Sequence, residues 1–147
     1  MAVLKFDGLW KQIPSGQDHR IFQIDEQGTL AQILIVDHAS DTLFGPHYHR
    51  KTTELYRVVE GHVVVTHCAV DGLGECNGEI QKAWCSKGQT FTIDPWTAHQ
   101  FEGWPGTVLV YIPLPGLPDP RKDTYSAQWL QEATARSFSD PHVKEHE

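Results

Sequence analysis

The chain has 147 residues, and 12 Lys and Arg against 19 Asp and Glu leave a formal net charge of −7. That length suits one domain with one core, and so acidic a chain has no electrostatic attraction for phosphate backbones or anionic lipid. No nucleic-acid partner and no membrane partner are therefore expected. Its 39% of hydrophobic residues, including 5 Trp, 4 Tyr and 6 Phe, exclude a disordered chain.

The opening run Met1–Asp7 is broken by charge before a secretion-type apolar core can form. No stretch approaches the roughly 20 apolar residues of a membrane helix. Cys68, Cys76 and Cys85 are an odd number without a secretion signal. They argue for reduced thiols in a cytoplasmic protein, with a Cys68–Cys76 bridge as the alternative.

Twelve glycines and nine prolines cut the chain into short apolar runs, the punctuation of an all-β protein. After a Gln27-Gly28 turn, Leu30–Val36 is rich in branched residues and reads as a strand. Glu54–Glu60 and His62–Cys68 read as two more, and the tight turn at Glu60-Gly61 predicts that they pair as a hairpin. Three glycines between Asp71 and Gly78 suit a mobile loop. Further strands are expected at Glu79–Trp84, Gln89–Ile93, Ala98–Phe101 and Thr107–Ile112, with a turn at Ser86-Lys87-Gly88. Short strands with turns this closely spaced predict an antiparallel sandwich or barrel.

Tyr125–Phe138, free of Gly and Pro, is the single helical candidate, with Thr124 or Asp123 as its cap. The Pro-rich passage 113–120 should run extended over the surface and bring the helix against the outside of the barrel. Asp140–Glu147 reads as a frayed tail. The whole chain, 1–147, is read as one domain, with a barrel core over about 28–114 and a C-terminal extension and helix over about 115–138.

The chemistry concentrates in histidine. His47 and His49 lie two residues apart, so an extended chain points both imidazoles to one face. The four residues before Glu54 leave room for a turn that returns its carboxylate to the same place. Two neutral imidazoles and a carboxylate suit a borderline divalent metal: Fe, Mn, Ni, Zn or Cu. His99, after the Gly88 turn, supplies a fourth ligand. The alternative is a histidine-rich surface strand beside a solvated glutamate, and the H-x-H-x4-E spacing is rare enough in this composition to favour the metal.

These residues resemble the cupin family. Its first motif, G-x5-H-x-H-x3,4-E-x6-G, is matched by His47, His49, Glu54 and Gly61, although Asp41 stands at the leading glycine and the nearest glycine is Gly45. Its second, G-x5-P-x-G-x2-H-x3-N, is matched by Gly88 and His99. Asp94, Trp96 and Gly103 replace its proline, glycine and asparagine. Because Trp96 cannot take a positive φ cheaply, a different type of turn is expected there.

The resemblance implies a jelly-roll barrel of six to eight strands, and one divalent metal held by His47, His49, Glu54 and His99. It often implies a homodimer. Activities in the family include dioxygenases (oxidoreductases), sugar isomerases and epimerases, and small-molecule lyases. The order Glu54-Leu55-Tyr56 also resembles that in cupin lyases acting on dimethylsulfoniopropionate, where a tyrosine two residues after the glutamate lies at the metal. The expectation is a metal-dependent enzyme acting on a small oxygen-rich or anionic metabolite. The alternative is a non-catalytic cupin module that binds a metal or small ligand.

An inward Glu54 carries Tyr56 and Val58 inward with it, while Leu55, Arg57 and Val59 face away. An inward His99 likewise carries Phe101 and Thr97. Tyr56 is thus the candidate catalytic residue, as a hydrogen-bond donor or, if ionised, a base; the alternative is a buried tyrosine bonded to a carbonyl. Trp84 and Trp96 either wall the cavity mouth or fill the core. His67 reads as an ordinary hydrogen-bonded histidine, and Cys68 and Cys85 as small buried hydrophobes. No nucleophile motif and no phosphate-cradling glycine loop is present.

Overall fold

The computed structural model describes residues 8–37, 42–119 and 121–138. Met1–Asp7, Asp41 and the tail from Asp140 lie outside these described residues. Eleven strands and one helix follow in order: β1 (Lys11–Ile13), β2 (His19–Glu26), β3 (Thr29–Val36), β4 (Thr42–Tyr48), β5 (Thr53–Glu60), β6 (His62–Ala69), β7 (Gln81–Ser86), β8 (Thr90–Ile93), β9 (Thr97–Gly103), β10 (Val108–Leu114), β11 (Tyr125–Ser126) and α1 (Gln128–Phe138). They form two sheets, β1-β2-β3-β10-β5-β8 and β11-β4-β9-β6-β7, in which every pairing is antiparallel. This is the expected jelly roll. Two sheets facing each other bury the alternate residues of each strand and leave the others for solvent or a covering element. β1 and β2 extend the first sheet ahead of residue 28, where the sequence reading begins the barrel core.

The expected hairpin of β5 and β6 does not form. β5 pairs with β10 and β8, whereas β6 pairs with β9 and β7, so Gly61 carries the chain from one sheet to the other. A tight turn and two apolar runs look alike in sequence whether the strands pair or part. Gly61 has φ of 77°, and a Cβ there would stand 2.9 Å from Thr107 Cα, so only glycine fits this corner.

The space between the sheets holds Leu34, Val58, Val63, Val65, Phe101 and Leu109, with Tyr56 and Tyr111 beside them. A second cluster lies on the outer face of the second sheet. There Tyr48, Val70 and Ala98 are covered by Ala127 and Leu130 at the start of α1, so the helix packs outside the barrel as expected. It starts later than predicted. Tyr125 and Ser126 pair as β11 with Tyr48 and His47, and the side chain of Asp123 is engaged elsewhere instead of capping a helix. Pro113 belongs to β10, so the irregular passage begins only after Leu114.

Cysteine chemistry differs from expectation. Cys68 is joined to Cys76 in a disulfide, so only Cys85, buried in the core, is a free thiol. The case for a cytoplasmic setting from three reduced thiols falls with it. The bridge closes the glycine-rich loop, where the Asp71 carboxylate also accepts from the backbone N–H of Leu73 and Glu75. A loop expected to be mobile is thereby pinned. Among the described residues, no helix is long and apolar enough to cross a membrane.

Candidate metal centre

The four predicted ligands come from both sheets. On the second sheet His47 of β4 stands opposite His99 of β9, which stands opposite His67 of β6, so three imidazoles form a row across the strands. A bulge between Phe44 and His47 sets this register. Gly45 lies in it with φ of 91°, and a Cβ there would meet the His99 carbonyl oxygen at 2.6 Å. This is the role of the glycine displaced from the motif's leading position: it lets β4 approach β9 closely enough to bring the two histidines together.

Glu54 comes from β5 on the facing sheet, and His49 from the turn after β4. One ligand atom from each of His47, His49, Glu54 and His99 lies within 4.8 Å of the others. Glu54 Oε1 is 3.0 Å from His99 Nε2 and 3.4 Å from His49 Nε2. The opposite ring nitrogens are already committed: His49 Nδ1 donates to the Asp123 carbonyl at 2.6 Å and His99 Nδ1 to the Thr97 carbonyl at 2.9 Å. A carbonyl only accepts, so each Nδ1 carries the proton and each Nε2 offers a lone pair to the centre. His49 Nε2, His99 Nε2 and Glu54 Oε1 are buried and have no hydrogen-bond partner. Three converging lone pairs in a dry interior are costly unless a cation is shared among them, so the residues fit a divalent metal.

The electrostatics agree. Burial, with His99 and His49 beside it, lowers the His47 pKa to about 4, keeping its imidazole neutral and available as a ligand. With no metal bound, burial would push the Glu54 carboxyl up, but a proton on the neighbouring His49 or His99 Nε2 is drawn to the carboxylate, outweighs burial and holds it well below the usual carboxylate range. Its other oxygen, Oε2, accepts from the Tyr56 phenol at 3.2 Å, and the Tyr111 phenol is turned toward the same carboxylate. Burial and the Glu54 charge raise both phenols, so both stay protonated. Of the two roles foreseen for Tyr56, the geometry accommodates the donor.

Tyr111 was missed in the sequence because its relation to Glu54 depends on the pairing of β10 with β5, where it lies opposite Tyr56. Asp123 was missed too. Its carboxylate accepts from Arg50 N at 2.7 Å, from Lys51 N at 3.0 Å and from Thr52 Oγ1 at 2.6 Å, fixing the turn that joins His49 to Glu54. No local pattern signals a partner more than 70 positions away.

The remaining candidates fall elsewhere. Val58 and Phe101 point inward as their parity predicts. Thr97 and His67 line a smaller cavity of about 240 Å³ on the far side of the row from His47. Neither tryptophan walls the site or fills the core. Trp84 is 64% exposed on edge strand β7 and stacks on Trp104 at 5.3 Å. Trp96 takes φ of 63°, against expectation. The cost of that conformation is offset by its backbone, whose N–H donates to the His49 carbonyl at 2.7 Å and whose carbonyl accepts from Val70 at 2.9 Å. Its ring packs against Tyr48 and under the Arg50 guanidinium, 4.7 Å away.

A cavity of about 540 Å³ opens from the ligand cluster, walled by Leu34, Phe44, Tyr56, Phe101 and Tyr111, with Leu117 and Pro118 at its rim. Fold and site together define a cupin-like β-sandwich with a buried three-histidine, one-glutamate cluster able to hold a metal. Comparison with solved structures places the chain among proteins of cupin fold. It is similar to the capsular polysaccharide assembling protein CapF from Staphylococcus aureus (TM-score 0.66, 19% identity, 82% of this chain and 32% of that one). It is similar also to KdgF from Halomonas sp. (0.57, 16%, 81% and 98%) and to ectoine synthase from P. lautus (0.52, 16%, 76% and 78%). The chain spans about a third of the length of CapF, and at these identities the likeness is one of fold. No protein-family model and no curated protein sequence matches it.

Proposed function

We propose that this chain is a mononuclear metal-dependent enzyme acting on a small oxygen-bearing metabolite, with His47, His49, Glu54 and His99 as the ligands. The reading rests on the three partnerless lone-pair atoms that converge in the interior. A bound divalent ion supplies Lewis acidity for oxygenase, isomerase or lyase chemistry at a substrate oxygen. The chain's own residues prepare that position. Tyr56 and Tyr111 keep the Glu54 carboxylate ionised and turned so that Oε1 faces the histidines. Asp123 and Thr97 hold the two Nδ1 protons away from the centre. The apolar walls exclude water from the reacting atoms.

Elemental analysis of the purified full chain tests the reading. About one equivalent of a transition metal is expected, falling to a trace in His99→Ala. No metal in the wild-type chain even after incubation with Fe(II), Mn(II) or Zn(II) would overturn it. Metal present, but no turnover of keto acids, diketones or hydroxy acids, would favour a ligand-binding module instead.

A further inference from the structure

One short stretch of chain does two kinds of work. His47 and His49 turn inward to the ligand cluster, so Tyr48 and Arg50, alternating with them, face the outer side of the second sheet. There the Arg50 guanidinium carbon lies over the Tyr125 ring at 4.0 Å and over the Trp96 ring at 4.7 Å. Both rings stack on Tyr48, at 5.1 Å and 6.2 Å. Among the described residues the guanidinium forms no ion pair, so its charge is turned onto these two rings. A cation is drawn to the electron-rich face of an aromatic ring, and a planar guanidinium lying over two rings at once ties them together.

The two rings sit beside the groups that aim the ligands. Trp96 directly precedes Thr97, whose carbonyl takes the His99 Nδ1 proton, and Tyr125 stands two residues after Asp123, whose carbonyl takes the His49 Nδ1 proton. Main-chain bonds join the same places. Trp96 N–H donates to the His49 carbonyl at 2.7 Å, Arg50 N–H donates to the Asp123 carboxylate at 2.7 Å, and Tyr125 pairs with Tyr48. Residues 47–50, 96–99 and 123–126 thus carry three of the four candidate ligands and both carbonyl acceptors, and the Arg50 side chain bridges all three segments. Asp123 secures one junction. Arg50 spans both.

We propose that Arg50 is a positioning residue of the metal centre: its guanidinium, lying across Trp96 and Tyr125, holds in place the two carbonyls that aim His99 and His49. It touches neither metal nor substrate and acts through those carbonyls. The inference rests on the metal reading above and goes beyond it, because the centre is set from the opposite side of the strand to its ligands. An ammonium keeps the charge but lacks the plane that covers two rings, so lysine is an incomplete substitute.

Arg50→Gln and Arg50→Lys in the full chain test it. Arg20→Gln, which removes a guanidinium paired with Asp37 on the other sheet, controls for lost charge. Competition with a chromophoric chelator at fixed pH should show Co(II) affinity about tenfold weaker in Arg50→Gln, with Arg50→Lys between it and wild type. The visible absorption of the cobalt-loaded Arg50→Gln chain should differ from wild type. By NMR of the metal-free chain, the His49 and His99 Nδ1 protons should exchange with water faster. Arg20→Gln should change none of these. Wild-type affinity and spectrum in a folded Arg50→Gln would overturn the proposal and leave the metal reading standing. An equal loss in Arg20→Gln would also overturn it, since charge alone would then account for the effect. Should Arg50→Gln not fold, Arg50→Lys decides by the same readouts, and wild-type values there would overturn the proposal. A wild-type chain that takes up no cobalt removes the metal reading and this inference with it.

Discussion

Asp123 holds His49 in two ways. Its backbone carbonyl takes the Nδ1 proton at 2.6 Å, and its carboxylate ties down the amides of Arg50 and Lys51 and the hydroxyl of Thr52. Asp123→Ala leaves the carbonyl but releases the turn. Loss of buried, charge-assisted bonds should cost about 1–3 kcal/mol in thermal or chemical denaturation. Competition with a chromophoric chelator should show metal affinity reduced by roughly tenfold or more, as for other groups that orient a ligand from outside. Unchanged affinity in a destabilised variant would confine Asp123 to folding.

Glu54→Ala removes the one anionic ligand and the acceptor for Tyr56. The variant should stay folded by circular dichroism, since the core beneath it is unaltered, yet lose most of its metal in elemental analysis. Near-normal metal content would show that the ligand assignment is wrong.

The metal-free site should respond to pH in a defined direction. Burial opposes the His49 charge, but the bond with Glu54 and the Asp123 carbonyl outweigh it and raise the pKa above the usual 6.5. That stabilisation is complete below 6.5 and fades as pH rises through the folded value. Glu54, held below its usual 4.5, contributes stability above that value which is lost as pH falls. His47, lowered to about 4, costs stability as pH falls below 6.5, because the unfolded chain binds its proton first; stability of the metal-free chain should therefore peak near pH 6.5 and decline on both sides. Because binding displaces the His49 proton, metal affinity should strengthen with rising pH until His49 is neutral, with proton release visible by calorimetry in two buffers. His47, lowered to about 4, releases none in that range.

Trp96 combines a left-handed backbone with a packed ring. Trp96→Ala loses the ring and keeps the strain, whereas Trp96→Gly loses the ring and removes the strain. The glycine variant should be the more stable by about 1 kcal/mol in urea denaturation. An alanine variant equal to it would mean that the conformation costs nothing here.

Cys76→Ser opens the bridge to Cys68 and frees a short loop on the outer side of the second sheet. A loss of about 2–3 kcal/mol is expected, with metal content unchanged, because the loop contributes no ligand. Loss of metal would instead tie the loop to the site.

Much of this was legible from local pattern. The alternation of Glu54, Tyr56 and Val58 gave inward and outward faces correctly, and the spacing of His47, His49 and Glu54 brought three side chains able to ligate a metal to one place. What escaped depends on which strand lies beside which. Nothing around Gly61 says that β5 and β6 part company, Tyr111 acquires meaning only once β10 is seen next to β5, and Trp84 faces outward because β7 is an edge. Asp123 resembled a helix cap in isolation, but its hydrogen bonds run to a turn over 70 positions earlier, and no nearest-neighbour rule reaches that far. Trp96 broke a sound steric rule because bonds on both sides of it outweigh its preference.

Leu117, Pro118 and Asp123 lie outside the barrel's strands yet supply the rim of the cavity and the anchor of His49. The barrel fixes which atoms can meet, while these residues set how firmly one of them is aimed. Substitutions among them could tune the centre's affinity and what it admits without disturbing a single strand. A shortened chain ending before Asp123 would keep all four candidate ligand residues but lose the carbonyl and carboxylate that aim His49.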